Sequence, residues 1–370
     1  MIRTDRDRGS RVTSEQEERE NLSGKASHVD KALITGFLTQ GQSDIGTLIE
    51  PYRRELHLHC YRLLGSLHDA EDMVQETMLR AWRHFDTFKG AASLRTWLYT
   101  IATNTCLDTL KKRSPRTLPI RSSPASDPME PVAPRSAETL WLEPFPDSWL
   151  ASAQEQAENP EARYSRSESV SLAFLTALQV LPPRQRAILL LSDVLSFHAV
   201  EIARLLELSV SAVNSALHRA RVTLAKNYHN GQREAVRVHQ ADAETNMLLS
   251  RYMQAWEADD VAGIVALLKE DATLSMPPVP SWYQGREAIR TFLLPRFGVR
   301  NQWRMCPTRA NAQPACILYV ANEAKNLYEA FGIQVITLDG SRLPRQIVEV
   351  TIFRSPSLVI SFGFPLQLPQ

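Results

Sequence analysis

The stretch SFHAVEIARLLELSVSAVNSALHRARVTLAK, residues 196–226, decides the architecture of the middle of the chain. Its apolar spacing predicts a helix over 199–206, then a short turn, then a second helix for which Ser209 is a suitable N-cap. Apolar residues of the second helix recur at intervals of three and four, which predicts one buried stripe. The stripe consists of Val210, Val213, Leu217, Ala220 and Leu224. Two short amphipathic helices joined in this way form a helix-turn-helix.

The other faces of the second helix are polar and suit a DNA duplex. Short side chains at Ser211 and Ser215 allow close approach, and Asn214 has the reach and the groups to bind base edges. Cations such as Lys226 suit phosphates. The predicted duplex contacts are Ser209, Ser211, Asn214, Ser215, His218, Arg219 and Arg221. A helical hairpin that binds no DNA has the same pattern, so the residues alone leave both interpretations open.

The segment HDAEDMVQETMLRAWRHF, residues 68–85, predicts an earlier helix with two distinct faces. Asp69 is its expected N-cap, and the helix should run to about His84. The predicted buried face consists of Val74, Met78, Ala81 and Phe85. A polar face carries Asp72, Gln75, Glu76 and Arg80, and by itself such a face indicates only a solvated surface.

The next segment, TFKGAASLRTWLYTIATNTCLDTLKKR at 87–113, places cations beside aromatic residues. A glycine-containing loop over 89–93 precedes a helix with Trp97 on its apolar face. Between residues 95 and 121 there are six basic residues and one acidic residue, Asp108. Such a helix is typical of a single-stranded nucleic-acid surface, because cations bind phosphates and flat rings stack on exposed bases. A core tryptophan with a solubilising basic tail is the alternative.

These two segments, followed by LPPRQRAILLL at 181–191 and the helix-turn-helix, resemble the second and fourth domains of an extracytoplasmic-function (ECF) sigma factor of the sigma-70 family. The resemblance implies that Asp72, Gln75 and Glu76 dock on the clamp helices of core RNA polymerase. It implies that the fourth domain sits on the polymerase flap and reads the upstream promoter element. The residues that it assigns to the melted promoter strand are Lys89, Ser93, Arg95, Thr96, Tyr99, Asn104, Lys111, Lys112 and Arg113.

A third block differs from the two helical ones, because helical periodicity comes first and alternation of apolar and polar residues follows. Its stretch RYMQAWEADDVAGIVALLKEDATLSMPPVPSWYQGREAIRTFLL, residues 251–294, resembles SnoaL-like domains, which have an α+β cone fold. Val348, Val350 and Ile352 alternate with polar residues, which predicts a late strand. WLEPFPD at 141–147 resembles a segment common in sigma factors with this extension. The expected fold is therefore multidomain, with two all-α domains and a C-terminal α+β domain, as in the mycobacterial sigma G and sigma J types.

The role of this extension is less constrained by sequence. A regulatory or structural role is favoured over an enzymatic one, with small-molecule sensing or cyclase-like or isomerase-like catalysis as alternatives. A catalytic cone domain needs a carboxyl or phenol group in an apolar pocket. The candidates are Tyr252, Glu257, Asp271 and Tyr283. Its aromatic residues, with Trp256 and Phe292 among them, are predicted to be core rather than a ligand cage.

Length and composition fit this organisation. The chain has 370 residues, enough for two or three domains, and its hydrophobic fraction of 44% excludes wholesale disorder. The predicted limits are a tail at 1–30, the second sigma domain at 31–113, a proline-rich linker at 114–159, the fourth sigma domain at 160–229, a joint at 230–246 and the SnoaL-like domain at 247–370. The linker is expected to be extended and semi-rigid.

Several classes of protein are excluded. No apolar run is long enough to span a membrane, and the charged start lacks the apolar core of a secretory signal, so we expect a cytoplasmic protein. The four cysteines, Cys60, Cys106, Cys306 and Cys316, form no C-x-x-C pair, which disfavours disulfide and zinc sites. We predict no cofactor and no metal. The expected partners are core RNA polymerase and promoter DNA, with an anti-sigma factor or a small ligand as further candidates.

Overall fold

The computed structural model describes residues 45–88, 90, 92–136, 140–154, 168–228, 243–298, 302–340 and 344–369. The first block contains helices α1 (Ile45–Ile49), α2 (Arg53–Leu64), α3 (Leu67–Arg83) and α4 (Leu94–Leu110). Pro51 lies in a 3-10 turn between α1 and α2, because proline cannot continue the hydrogen-bond ladder of a helix. Gly65 ends α2 with a φ of 70°, a left-handed conformation that glycine adopts without strain.

Helix α3 confirms the predicted apolar face and corrects its cap. Val74, Met78, Ala81 and Phe85 are all buried. The N-cap is Ser66, whose hydroxyl accepts a hydrogen bond from the Asp69 amide, so the prediction of Asp69 as the cap is wrong. The Asp69 carboxylate instead binds Arg113 at 2.7 Å and Arg116 at 2.6 Å. Burial opposes ionisation there, but these two arginines outweigh it and hold the pKa of Asp69 below its ordinary value.

The linker is packed rather than extended. It contains α5 (Pro119–Ser122) and α6 (Asp147–Gln154), and it pairs with itself through a bridge between Thr117 and Trp141. Trp141, Leu142 and Phe145 are buried. The expectation of a semi-rigid spacer is therefore wrong for this part, because the apolar residues between the prolines have a core to enter.

The second helical block contains α7 (Leu172–Gln179), α8 (Pro183–Leu189), α9 (Ala199–Leu205) and α10 (Val210–Asn227), with a π-helical turn continuing α8. Ser209 is the N-cap of α10, as predicted. The buried stripe consists of Val213, Ala216 and Ala220, with Leu217 and Leu224 partly buried. Val210 is 40% exposed, which contradicts the prediction, because the first turn of α10 extends beyond its packing surface.

The C-terminal block is an α+β domain, as predicted. Its helices are α11 (Ala243–Glu257), α12 (Val261–Ala266), α13 (Arg286–Leu293) and α14 (Pro356–Ser361). Its strands are β1 (Leu268–Ser275), β2 (Trp282–Gln284), β3 (Trp303–Ala310), β4 (Gln313–Asn322), β5 (Leu327–Leu338), β6 (Ile347–Phe353) and β7 (Gln367–Pro369). The sheet has the order β2-β1-β6-β5-β4-β3, β7 pairs with β5, and β1 and β6 form its parallel pair.

Both faces of this sheet are covered. Leu318, Ile336 and Val350 pack with the helices α11, α12 and α13 in a core of their own. Ile317 and Val335, on the opposite face, belong to the core that continues through both helical blocks. The three parts of the chain therefore share apolar surface, and the fold is closed over its own linker.

The described ranges contain no helix long and apolar enough to cross a membrane. Within the same ranges, no three histidine, cysteine or acidic side chains come together as metal ligands.

Candidate nucleic-acid interface

The outer face of α10 carries the predicted duplex contacts. All seven of these residues, from Ser209 to Arg221, are exposed. The Ser209 hydroxyl accepts a hydrogen bond from the Ala212 amide at 3.1 Å, which fixes the start of the helix. Asn214 lies between Ser211 and Ser215, so an amide is flanked by two small side chains that leave room for a base edge.

The cations at the far end of α10 differ in their surroundings. Arg221 donates two hydrogen bonds to Asp193, at 3.0 and 2.7 Å. These bonds raise the pKa of Arg221. Because Asp193 occupies the guanidinium, a DNA phosphate would have to replace this carboxylate in order to bind Arg221. Arg219 and Lys226 are exposed, as a phosphate contact requires.

The polar face of α3 is also at the surface. Asp72 and Gln75 are exposed and Glu76 is half-buried. Gln75 donates to Glu71 at 3.3 Å, and Arg80 donates to Glu76 at 2.6 Å. The three predicted docking residues thus lie on one side of a helix whose opposite side is core.

Two residues of this face were missed by the sequence reasoning. Leu79 is 48% exposed and Trp82 is 50% exposed, although both are large and apolar. They follow Asp72 and Gln75 at helical spacing, so they continue the same face. Their position off the stripe that begins at Val74 was the available signal, because exposed apolar side chains next to polar ones are typical of interfaces.

The residues that the resemblance assigns to the melted promoter strand fall into two groups. Some are exposed, and others are bonded to partners inside the protein. Asn104, Lys111 and Lys112 are exposed, and Lys111 pairs with Asp108 at 2.8 Å. Ser93 is the N-cap of α4, and its hydroxyl lies 2.9 Å from that of Thr96. Lys89 lies outside the described residues.

Tyr99, Arg95 and Arg113 have partners inside the protein. Tyr99 is fully buried, and its hydroxyl donates to Glu55 at 3.3 Å. Its ring centroid lies 5.6 Å from that of Phe197, in the second helical block. The ring has no face left for a base, so the prediction that Tyr99 contacts the strand is wrong for this arrangement of the chain. Arg95 is bound to Glu55 at 3.1 Å, and Arg113 is bound to Asp69.

Comparison with known proteins decides the family. The model for Sigma-70 region 2 matches residues 48–116, that for Sigma-70 region 4 matches 171–224, and that for the SnoaL-like domain matches 249–325. The ECF RNA polymerase sigma factor SigG of Mycobacterium tuberculosis is 41% identical over 335 residues, which cover 88% of this chain and 85% of that protein. The chain belongs to the ECF sigma factors. It therefore directs transcription initiation from promoters.

Two further comparisons agree with this placement. The sigma factor SigJ of M. tuberculosis is 28% identical over 229 residues, covering 61% of this chain and 62% of that protein. The crystal structure of SigJ covers 86% of this sigma factor and 99% of its own chain, with a TM-score of 0.50 and 21% identity. It shows that the two share a fold.

Regions 2 and 4 of this sigma factor are bonded directly to each other. Arg186 of α8 is buried and donates to the backbone oxygen of Leu63 in α2 at 2.5 Å. Arg62 of α2 donates to the hydroxyl of Ser169 at 2.6 Å. With the contact between Tyr99 and Phe197, these bonds bury against region 4 part of the surface that the sequence predicts to bind a single strand.

The SnoaL-like domain inserts a turn between both regions and the linker. Asn311, in the β3–β4 turn, is fully buried. Its side-chain amide donates to the Tyr61 hydroxyl of region 2 at 2.8 Å and to the Val170 carbonyl at 2.7 Å. Its side-chain oxygen accepts a hydrogen bond from the Phe145 amide at 2.8 Å. We call this set of bonds the Asn311 latch, because one side chain joins four parts of the chain.

An ion pair lies beside the latch. Asp147 of the linker binds Arg309 at 3.2 Å and accepts a hydrogen bond from the Ala312 amide at 2.7 Å. Burial raises the pKa of Asp147 to about 6, against the opposing effect of those two partners. Glu143 of the same segment accepts hydrogen bonds from the Leu67 and His68 amides at the start of α3. The WLEPFPD segment therefore contacts both region 2 and the SnoaL-like domain.

The candidate proton-transfer groups of the SnoaL-like domain do not share a pocket. Asp271 is exposed and lies near Lys269, so it is not the desolvated carboxyl that catalysis would require. Tyr252 is buried, and its hydroxyl donates to Gln334. Glu257 accepts from the Met305 amide, and the Tyr283 ring stacks on Phe292.

Proposed function

We propose that this sigma factor binds core RNA polymerase through the exposed face of α3 and holds two promoter elements with regions 2 and 4. The SnoaL-like domain modulates this activity within the chain by stabilising a closed arrangement. The observation that carries the proposal is the burial of Tyr99 against Phe197, with the partly exposed Arg95 bound to Glu55 beside it. A strand-binding surface that is covered by another part of the same protein has to be uncovered before use.

The electrostatics of α3 suit a basic and hydrogen-bonding partner surface, such as the clamp helices. Asp72 and Glu76 supply charge, and Leu79 and Trp82 supply apolar area next to it. Charges at a rim steer association, whereas desolvated apolar groups supply most of the affinity. Region 4 would sit on the flap, with α10 facing the upstream element.

Covalent fusion favours modulation in cis. A domain tethered to its binding surface has a high effective concentration there, so even a modest interface is occupied most of the time. The Asn311 latch and the pair between Asp147 and Arg309 supply such an interface. Polymerase binding would compete with these contacts. The balance between the closed form and the polymerase-bound form would then determine promoter output.

The proposal includes several narrower statements from the sequence. The SnoaL-like domain acts as a non-catalytic element, the protein works in the cytoplasm, and an anti-sigma factor is a further candidate partner. The domain limits predicted from the sequence belong to the same proposal.

Charge reversal on α3 tests the polymerase contact. We expect the double variant Asp72→Lys, Glu76→Lys to bind core enzyme about tenfold or more weakly, since both changes place cations against a basic surface. Co-purification and titration with core enzyme measure this. The matched control is Glu270→Lys, Glu287→Lys, because both acids are exposed on the SnoaL-like domain. Wild-type affinity of the α3 variant, with normal helicity, would refute the docking face.

A further inference from the structure

The SnoaL-like domain has a half-open cavity of about 400 Å³ between α11, α13 and the sheet. This volume lies in the range of small-molecule sites. Its lining is mostly aromatic and aliphatic, and it includes Val132 from the linker, Trp256, Phe292, Phe297, Trp303 and Phe331. Trp256 and Phe292 belong to the core of the domain, as the sequence predicts, and they also line this space.

Four rings form one continuous wall. The Trp256 centroid lies 5.0 Å from that of Phe297 and 5.8 Å from that of Trp303. Trp303 in turn lies 5.5 Å from Phe331, edge to face. Rings that meet edge to face in this way give the cavity an aromatic wall, which suits a flat apolar ligand.

The charge of the lining has one sign. Among the lining residues that the structure describes, the ionisable ones are Arg296 and Arg354. The Arg296 guanidinium lies 3.9 Å from the Phe292 centroid, and that of Arg354 lies 5.0 Å from the Phe331 centroid. Burial, together with the positive charges of Arg135 and Arg296, lowers the pKa of Arg354. Cations already cover these ring faces, so the cavity disfavours a cationic ligand.

Three donors at the cavity have no acceptor in the described parts of the protein. They are Nε of Arg354 and Nε1 of Trp256 and of Trp303, and all three atoms are buried. A buried donor without an acceptor is destabilising, and more so when it is charged. Buried polar atoms of native proteins normally have a partner, which here would have to be an acceptor brought by another molecule or by water.

We propose that this cavity binds a small planar apolar anion, with its rings against the aromatic wall and its carboxylate at Arg354. The site also reaches the linker. Val132 forms part of the wall, and Arg135 donates to the Arg354 carbonyl at 3.1 Å. The Ser123 carbonyl accepts a hydrogen bond from Trp282 Nε1, which fixes the linker on the same domain. An occupied cavity therefore contacts the segment that joins regions 2 and 4.

Calorimetric titration of the full-length chain tests the proposal, with 2-naphthoate as the probe and neutral 2-naphthamide as its matched analogue. We expect naphthoate to bind about tenfold or more tightly than the amide, since a charge-assisted pair is stronger than a neutral hydrogen bond. Arg354→Gln should remove this preference and leave weak binding of both. Arg290→Gln, which changes an exposed arginine paired with Glu287, should keep it.

Two linker variants test the wall. Val132→Trp should fill the cavity from the linker side and lower naphthoate affinity about tenfold or more. Met129→Trp adds the same side chain at a linker position that is 79% exposed, and it should bind as the wild type does. Equal affinity for acid and amide, or naphthoate binding unchanged by both Arg354→Gln and Val132→Trp, would overturn the assignment. The measurement needs no polymerase, so its failure would leave the promoter function standing.

Discussion

His59 is a buried histidine of region 2 whose surroundings disfavour the protonated ring, and it therefore lowers the stability of region 2 in acid. It is fully buried, its Nε2 lies 2.9 Å from the Thr103 hydroxyl, and its ring meets Tyr99 edge-on. Burial lowers the pKa of His59 to about 3, and the positive charges of Arg62 and Arg95 act in the same direction. The pKa of His57, lowered by burial to about 4, moves the same way despite the opposing charge of Glu71. Both rings are therefore neutral in the folded protein.

We predict that acid destabilises region 2 through His59. Between the unfolded pKa near 6.5 and the folded pKa of about 3, the unfolded chain binds a proton that the folded chain does not. The contribution of neutral His59 to the free energy of unfolding is therefore fully present above pH 6.5. As the pH drops through this window, this contribution falls by about 1.4 kcal/mol per pH unit for one proton. His59→Gln should reduce this slope in urea unfolding, whereas exposed His218→Gln should not. An unchanged slope in His59→Gln would contradict the assignment.

At the scale of the element, α10 was predicted well because its pattern is local. A helix that is buried on one side repeats its apolar positions within the segment itself, so the exposed residues follow directly. Which residues of α4 are exposed could not be predicted in this way. Tyr99 is buried against Phe197, which lies far along the chain, and local spacing contains no information about such a partner. Asp69 and Ser66 were confused because both residue types cap helices.

The face of α10 predicts two different losses. Asn214→Ala should weaken promoter binding by the holoenzyme at one base pair by about 1–3 kcal/mol, which relaxes selectivity there. Lys226→Ala should weaken binding to all sequences equally and reduce the slope of log affinity against log salt by about one, because one phosphate contact is lost. Binding to a set of single-base promoter variants at several salt concentrations separates the two. A uniform loss for Asn214→Ala would argue against base contact.

At the scale of the whole molecule, the position of the fused domain could be predicted from the sequence, but its contacts with the rest of the chain could not. The SnoaL-like resemblance predicts the α+β fold, but not that its β3–β4 turn enters the seam between regions 2 and 4. Asn311 has a φ of 55°, and its bonds reach residues 141 and 250 positions earlier. Contacts of such separation depend on how complete domains dock, and composition and periodicity do not encode that.

We predict that Asn311→Gly opens the latch. Glycine accepts the left-handed backbone, so the change removes the side-chain bonds without adding strain. Leaving their buried partners unpaired should cost about 2–4 kcal/mol, measured by urea unfolding. Promoter output in a reconstituted transcription assay should rise several-fold, because the strand surface is uncovered more often. Asn104→Ala, on an exposed face, is the matched control for stability.

Removal of the whole extension completes this test. A chain that ends near Gln240 lacks the turn and its ion pair, and its promoter output should also differ from that of the full-length protein. Identical output from the truncated chain, the full-length chain and Asn311→Gly would rule out modulation in cis.

The position of Asn311 in the sequence also has a consequence during synthesis. Helix α10 of region 4 ends at Asn227, and the 83 residues from 228 to 310 follow before the ribosome adds Asn311. At roughly 5–20 residues per second, this takes roughly 4–17 s. During that interval a newborn chain has both promoter-reading regions and lacks the side chain that fastens them. Every molecule therefore passes through a stage without the latch and can close only after Asn311 has been added.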